Sequence, residues 1–344
     1  MTTLRFQPYS FHHGKVAKNR VVVPPMASQT ADENGDVTAK TIEHYAHLAQ
    51  SGAGIIFVEY SFIHSSGKGE AHQLGIDQDH QVEGLKKVVR EIHKTGALAG
   101  MQIVHVGGKS KMEITGQTLL APSAVKVPVQ GWEPDLPRAM TTEEIPQLID
   151  WYVQGAKRVA EAGFDFAELH AAHGYGFNQW LSPLTNQRQD EFGGNLEKRS
   201  QLLFQVAEKI KQQIPELLLA VRLLGQDYLQ GGLTQEDMVW VALQLQDRGV
   251  DVIDVSSGLG GWRRRDQRTH EGYLIADAAH LKSHLKIPVI GVGGIQTGDF
   301  IDQVIEGSQV DFAAVGRAIL KDPKLWKEIN LECFDQNKCQ ASSF

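Results

Sequence analysis

Arg20-Val21-Val22-Val23-Pro24-Pro25-Met26-Ala27 decides between two architectures. Its β-branched start has the composition and length of a strand buried on both faces in a parallel sheet. A doubly wound open sheet typically places Gly-x-Gly-x-x-Gly directly after its first strand. Here two prolines and a methionine follow instead. Working outward, seven more short apolar runs recur: Gly54–Val58, Gly100–Val104, Phe164–Leu169, Leu218–Leu223, Val252–Val255, Pro288–Gly291 and Phe312–Val315. Amphipathic stretches alternate with them at Thr38–Gln50, Asp79–Lys94, Thr142–Ala162, Asn195–Gln213, Thr234–Arg248, Glu271–Leu285, Asp299–Glu306 and Arg317–Asn330. Several open on capping residues and stop before glycine. Eight strand–helix repeats are the arithmetic of a closed α/β barrel, a single (β/α)8 TIM barrel. Periodicity alone leaves the open sheet as a competitor; the first loop favours the barrel.

The chain has 344 residues, 42% hydrophobic and 22% charged, so it can bury an extensive core and is not disordered. One domain is expected over residues 1–344, with a core of about 19–326 and a C-terminal tail at 327–344. Net charge is −7, which lacks the basic footprint of a nucleic-acid binder. No apolar run approaches the roughly 18 residues of a membrane helix. Met1–Ser10 has no apolar core of the kind a secretory signal needs, so a cytoplasmic protein is expected. Cys333 and Cys339 can form neither a disulfide framework nor a four-cysteine metal site. Two connections are longer than packing requires, after strands 3 and 4: Gly107–Met140, with four prolines, and His170–Asn195, with four glycines and a proline. Long loops in a compact fold are usually functional, often lids.

Barrels concentrate chemistry at the C-terminal ends of their strands. Those ends carry Pro24–Ala27, Glu59-Tyr60, Gln102 with His105, His170-Ala-Ala-His173-Gly-Tyr175, Arg222, Ser256-Ser257-Gly258, Gly291-Val-Gly293-Gly294 and Gly316-Arg317. The last two describe a phosphate site, because glycines let backbone N–H groups approach phosphate oxygens and Arg317 adds a charged fork. Alternation points Phe166, Glu168 and His170 inward on the fourth strand and Ala220 and Arg222 inward on the fifth. A Glu168–Arg222 ion pair inside the barrel is therefore expected. His170 and His173 could be metal ligands, structural histidines or donors to a carbonyl or phenolate oxygen. The first strand offers no metal ligand, which disfavours metal chemistry. A tyrosine two residues beyond such a pair can deliver a proton.

Together these residues resemble the Old Yellow Enzyme family, in its bacterial ene-reductase branch. The resemblance rests on Asn19-Arg-Val-Val-Val-Pro-Pro-Met26, Gln102-x-x-His105-x-Gly-Gly-Lys109, Ala121-Pro-Ser123 and His170-Ala-Ala-His-Gly-Tyr175. It extends through Gln179-Trp-Leu-Ser-Pro183, Asn186-x-Arg188-x-Asp190-x-x-Gly-Gly194, Asn195-x-x-x-Arg199 and Gly316-Arg317. It covers Leu4 to about Trp326 and implies an FMN-binding barrel that uses NADPH or NADH to reduce the C=C bond of α,β-unsaturated carbonyl compounds. Nitro compounds and quinones are further acceptors that it allows. By resemblance, Pro25, Met26 and Ala27 line the flavin around N5 and O4, with Tyr60 near the ring. Gln102 meets the pyrimidine edge and Arg222 the N1–O2 edge, while Val292, Gly293, Gly316 and Arg317 hold the phosphate. His170 and His173 bind the substrate oxygen; after hydride transfer from flavin N5, Tyr175 protonates the product.

The chain departs from that pattern in places. Ala27 stands where the branch has a redox-tuning cysteine and others a threonine, and Gln29 replaces a tyrosine used against substrate. The tail lacks an arginine-aromatic ending, so that dimer mode does not carry over, although a homo-oligomer is compatible with the sequence. Gly261–Arg268, rich in arginine, could favour an anionic substrate or the phosphate of NADPH. Two alternatives stand beside this reading. One is a metal-dependent barrel hydrolase using His105, His170 and His173; the other is a flavin-binding protein with little turnover.

Overall fold

A strand such as Val21–Val23, with no exposed residue, is stable only where neighbours cover both its faces. In the computed structural model eight such strands close into a parallel barrel. Residues 3–261 and 268–332 are described. The strands are β1 (Val21–Val23), β2 (Ile55–Phe62), β3 (Leu98–Val104), β4 (Phe166–Ala171), β5 (Leu218–Leu224), β6 (Val252–Ser256), β7 (Val289–Val292) and β8 (Phe312–Ala314). Each pairs with the next, and Ala313 opposite Val21 closes the ring. Helices α1 (Ala39–Ala49), α2 (Gln81–His93), α3 (Ile145–Glu161), α4 (Leu196–Gln213), α5 (Gln235–Asp247), α6 (Ile275–Lys282), α7 (Gly298–Glu306) and α8 (Arg317–Lys321) fill the connections. No helix among the described residues is long and apolar enough to cross a membrane.

The barrel interior is layered. Its lower half is apolar, built from Val22, Phe57, Phe166, Leu218, Val252, Ile290 and Phe312. An N-terminal hairpin, Tyr9–Ser10 paired with Val16–Ala17, plugs that end. Phe11 at its tip sets its ring edge-on to Phe166 at 5.2 Å and stacked with Phe312 at 5.8 Å. One layer higher the inward positions turn polar: Gln102, Glu168, Arg222 and Asp254 are all buried. Period-two alternation carries each strand from an apolar layer to the mouth.

Element boundaries differ from the sequence reading where one residue overrides the pattern. The last helix breaks in two because Pro323 cannot donate within it; a new turn, Pro323–Lys327, is capped by Asp322 accepting from the Leu325 N–H at 3.0 Å. The Glu271–Leu285 stretch becomes helical only at Ile275, since Gly272 and Tyr273 donate instead to the Gly293 carbonyl. Strand β2 runs to Phe62 through a register shift between Val58 and Ser61. Helices α1, α4 and α5 start as read, on Thr38, Asn195 and Thr234. The arginines of Trp262–Gln267, the two cysteines and the end of the tail lie outside the described residues.

The two long loops brace each other. Gln179, in the short helix Gly176–Leu181 after β4, accepts from the Gly108 N–H at 2.8 Å and donates to the Val106 and Gly174 carbonyls at 2.8 and 2.7 Å. Arg188 donates to the Pro122 and Met140 carbonyls and forks onto Asp190.

Candidate active site

The loop after β4 sets the site's shape. Beyond Ala172 the chain turns through His173 at φ 59° and Gly174 at φ 74° before Tyr175 extends. A side chain in the left-handed region is uncommon outside functional sites. The turn is held by the His173 N–H donating to the Ser257 carbonyl at 2.9 Å and the Tyr175 N–H donating to Ala172 at 3.1 Å. Gly176 then passes so close to β3 that a Cβ would sit 2.2 Å from the His105 carbonyl oxygen. Only glycine lets Tyr175 reach the barrel mouth at this depth.

Three predicted catalytic side chains meet there. The ring centroids of His170 and His173 are 5.0 Å apart, as are those of His170 and Tyr175. His170 Nδ1 accepts from the Ala172 N–H at 3.3 Å, which leaves Nε2 as the protonated, donating nitrogen. His173 Nε2 lies 2.6 Å from Ser256 Oγ. Burial holds both histidines well below their usual range, and the charges of Arg222 and Lys109 add to it, so both are neutral donors. Burial pushes the Tyr175 phenol up to about 12, with Glu70 adding to the rise. It therefore keeps its proton. Lys109 lies over the Tyr175 ring, Nζ 4.3 Å from the centroid, and donates to the His173 carbonyl at 2.5 Å. Burial lowers its ammonium to about 8.

Beside this group opens a cavity of about 500 Å³, within the range of small-molecule sites. Pro25, Met26, Arg222, Val292, Gly316 and Arg317 line it, together with His173, Gly294, Tyr273, Gln296, Arg268 and Lys321. Gly294 after β7 and the Gly316-Arg317 corner thus face one space. Gly293 lies behind that wall at φ 135°, where a Cβ would come within 2.8 Å of the Leu274 nitrogen. Ala27 is exposed just past Met26. Gln102 sits in the buried layer below, and Tyr60 lies against Tyr175 with centroids 5.4 Å apart.

The expected Glu168–Arg222 pair is replaced by another. Arg222 sits opposite Asp254 in the β5–β6 register, Nε to Oδ2 3.1 Å, whereas Glu168 Oε1 accepts from Gln102 Nε2 at 2.7 Å. Strand pairing decides this: Gln102 is directly opposite Glu168, and Arg222 directly opposite Asp254. Burial raises the Glu168 carboxyl well above its ordinary range, and the Asp254 charge raises it further. The Arg222–Asp254 contact is an ion pair outside hydrogen-bonding geometry, and Glu168 Oε2 is buried without a hydrogen-bond partner.

The Arg222 guanidinium in the cavity wall, the glycine-walled corner and Arg317 suit a planar, phosphate-bearing anion, and FMN fits the donor set. The metal-hydrolase alternative fits poorly. Its third ligand, His105, is tied to Ser66 Oγ at 3.0 Å and accepts from the Gly107 N–H at 3.1 Å. Among the described residues no group of three or more His, Cys, Asp or Glu could hold a metal ion. Sequence reasoning missed Asp254, Lys109, Glu70 and Lys321 as site neighbours. Strand register could have found Asp254; Lys321 and Glu70 carry no pattern that distinguishes them from surface charges.

Barrel, mouth and anion corner together define the class of flavin-dependent oxidoreductase barrels. Comparison with known proteins agrees. The model of the NADH:flavin oxidoreductase / NADH oxidase family matches residues 5–336. An NADPH dehydrogenase of Geobacillus thermodenitrificans is 36% identical over 94% of this chain and 92% of its own. An NADH oxidase of Thermoanaerobacter brockii is 34% identical over 92% of this chain, which spans 50% of that longer protein. The Old Yellow Enzyme homologue of Zymomonas mobilis superposes with a TM-score of 0.82 at 26% identity, covering 96% of this chain and 93% of its own. This chain belongs to the NADH:flavin oxidoreductase / NADH oxidase family. Its cofactor is FMN and its reductant a nicotinamide nucleotide, as the sequence resemblance implies.

Proposed function

We propose that the protein reduces the activated C=C bond of α,β-unsaturated carbonyl compounds at the expense of NADPH or NADH. The observation that carries this reading is the meeting of His170, His173 and Tyr175, two neutral donors and a protonated phenol, beside the cavity that suits FMN. When bound, FMN supplies the two-electron chemistry, taking hydride from the nicotinamide and passing it to the substrate. The protein's part is positioning and polarisation. Pro25, Met26 and Ala27 would flank the flavin, Gln102 and Arg222 would meet its polar edge, and Val292, Gly293, Gly316 and Arg317 would hold its phosphate. His170 and His173 hold the carbonyl oxygen and draw charge toward it as the β-carbon is reduced. Tyr175 then places its proton on the α-carbon, and its high pKa keeps that proton available throughout the neutral range.

Replacing Tyr175 by Phe separates the two halves of turnover. Reoxidation by cyclohexenone should slow by about 10²-fold, the usual contribution of a positioned acid. Reduction by NADPH should persist. Stopped-flow absorbance of each half-reaction measures both; equal slowing of the two would remove Tyr175 from the proton-donor role.

A further inference from the structure

One layer below the mouth the barrel encloses one arginine and two acids. Arg222, Glu168 and Asp254 are all buried, and the floor beneath them is apolar, built with Phe166, Val252 and Ile290. The inward positions of β6 run Val252, Asp254, Ser256. Alternation therefore fixes Asp254 between that floor and the Ser256 hydroxyl that meets His173. Register then sets it opposite Arg222, Oδ2 to Nε 3.1 Å, as an ion pair. Among the described residues the Asp254 carboxylate accepts no hydrogen bond, and its Oδ1 is fully buried. A buried pair so poor in hydrogen bonds does not repay its desolvation as stability. Its effect falls instead on Arg222, which lines the cavity with Pro25, Met26 and Gly316. The other groups around Arg222 supply no counter-charge. His170, opposite it on β4, is neutral, and Glu168 is bonded to Gln102 and kept protonated by burial.

We propose that Asp254 offsets the Arg222 charge felt in the cavity and so sets the reduction potential of the flavin bound there. The proposal rests on the reading above in which Arg222 meets the polar edge of FMN. A reduced flavin carries more negative charge than an oxidised one, and charge beside the ring tunes its electronics. An uncompensated Arg222 would favour the reduced form. Asp254 stands behind the guanidinium, outside the cavity lining, and takes back part of that bias. The flavin is thereby kept a stronger donor toward the substrate. Asp254 acts through Arg222 and is a positioning residue.

Anaerobic reduction of the FMN-loaded holoprotein against a reference dye of known potential measures this without turnover. Glu168→Gln replaces a protonated acid with an amide and should leave the flavin–dye equilibrium at its wild-type value. It also prevents a second acid in the layer from ionising in place of Asp254. Added to that variant, Asp254→Asn should favour the reduced flavin by roughly tenfold, ~30 mV for a two-electron couple. Asp254→Leu, which removes the same charge and leaves no polar atom to misplace, should give the same rise. Asp254→Glu, which keeps the charge, should give none. No rise in either neutral variant, an equal rise in Asp254→Glu, or a rise in Glu168→Gln alone would overturn the proposal. Arg222→Met that binds FMN as tightly as wild type, by quenching of flavin fluorescence, would instead overturn the placing of the flavin's polar edge at Arg222.

Discussion

His173 and Lys109 show how single residues set the chemistry of the mouth. A histidine bent into the left-handed region places its ring against Ser256, and a buried lysine holds the carbonyl of that same residue. Burial drives His170 and His173 below their ordinary range, so neither titrates on the alkaline side of pH 6.5. The enone half-reaction should therefore run without a histidine limb between pH 6 and 7.5. Lys109, brought down to about 8, loses its charge as pH rises through that value. A change in rate near pH 8 that disappears in Lys109→Met is the expected profile; a limb near 6.5 in the wild type would mean that a histidine cycles through its charged form. The candidate residues themselves were readable because strand-end position and period-two alternation specify which side chains face the axis. Their partners were not. Which carboxylate meets Arg222 depends on interstrand register, which a single strand's pattern does not contain.

Among the elements, the long connections after β4, β5 and β6 are joined by one buried side chain that no motif singled out. Asp227 accepts from Asn178 at 3.2 Å and the Leu259 N–H at 3.0 Å through one oxygen. Through the other it accepts from Ser182 at 2.6 Å and the Leu233 N–H at 3.0 Å. Asp227→Ala would leave four donors short of an acceptor inside the fold, two of them main-chain. The expected loss is at least ~3 kcal/mol of stability, because each unsatisfied buried group costs about 1–3 kcal/mol. Chemical denaturation measures it. A loss below ~1 kcal/mol would mean that water replaces the carboxylate and the loops are not tied through it. The strand–helix rhythm was plain in the sequence because buried parallel strands read as apolar runs. The N-terminal hairpin, the Gly176–Leu181 helix and the break at Pro323 were not, since packing against distant residues or one missing N–H decides them.

For the whole molecule, the buried Glu59 couples the site to stability. It accepts from the Ser28 N–H at 3.0 Å and from the Ser28 hydroxyl, just behind the Pro25–Ala27 wall. Burial raises its carboxyl from the ordinary 4.5 to about 7, against the pull of the Ser28 hydrogen bonds. An acid raised in the folded state binds its proton more tightly there than in the unfolded chain. Its contribution is thus complete below about pH 4.5 and is lost as pH rises to about 7, by up to ~3 kcal/mol at ~1.4 kcal/mol per tenfold change. Glu59→Gln should flatten the stability profile across that window; denaturation midpoints at pH 5 and pH 7 measure it, and an equally steep profile in the variant would assign the slope elsewhere.

Holoprotein loaded with FMN and reduced anaerobically with NADPH, then mixed with cyclohexenone, tests the functional account in one absorbance trace. The flavin band should bleach with NADPH and return with the enone at the rate of turnover. A band that bleaches and stays bleached, while oxygen or a quinone still restores it, would show that the His170–His173–Tyr175 mouth does not reduce activated double bonds.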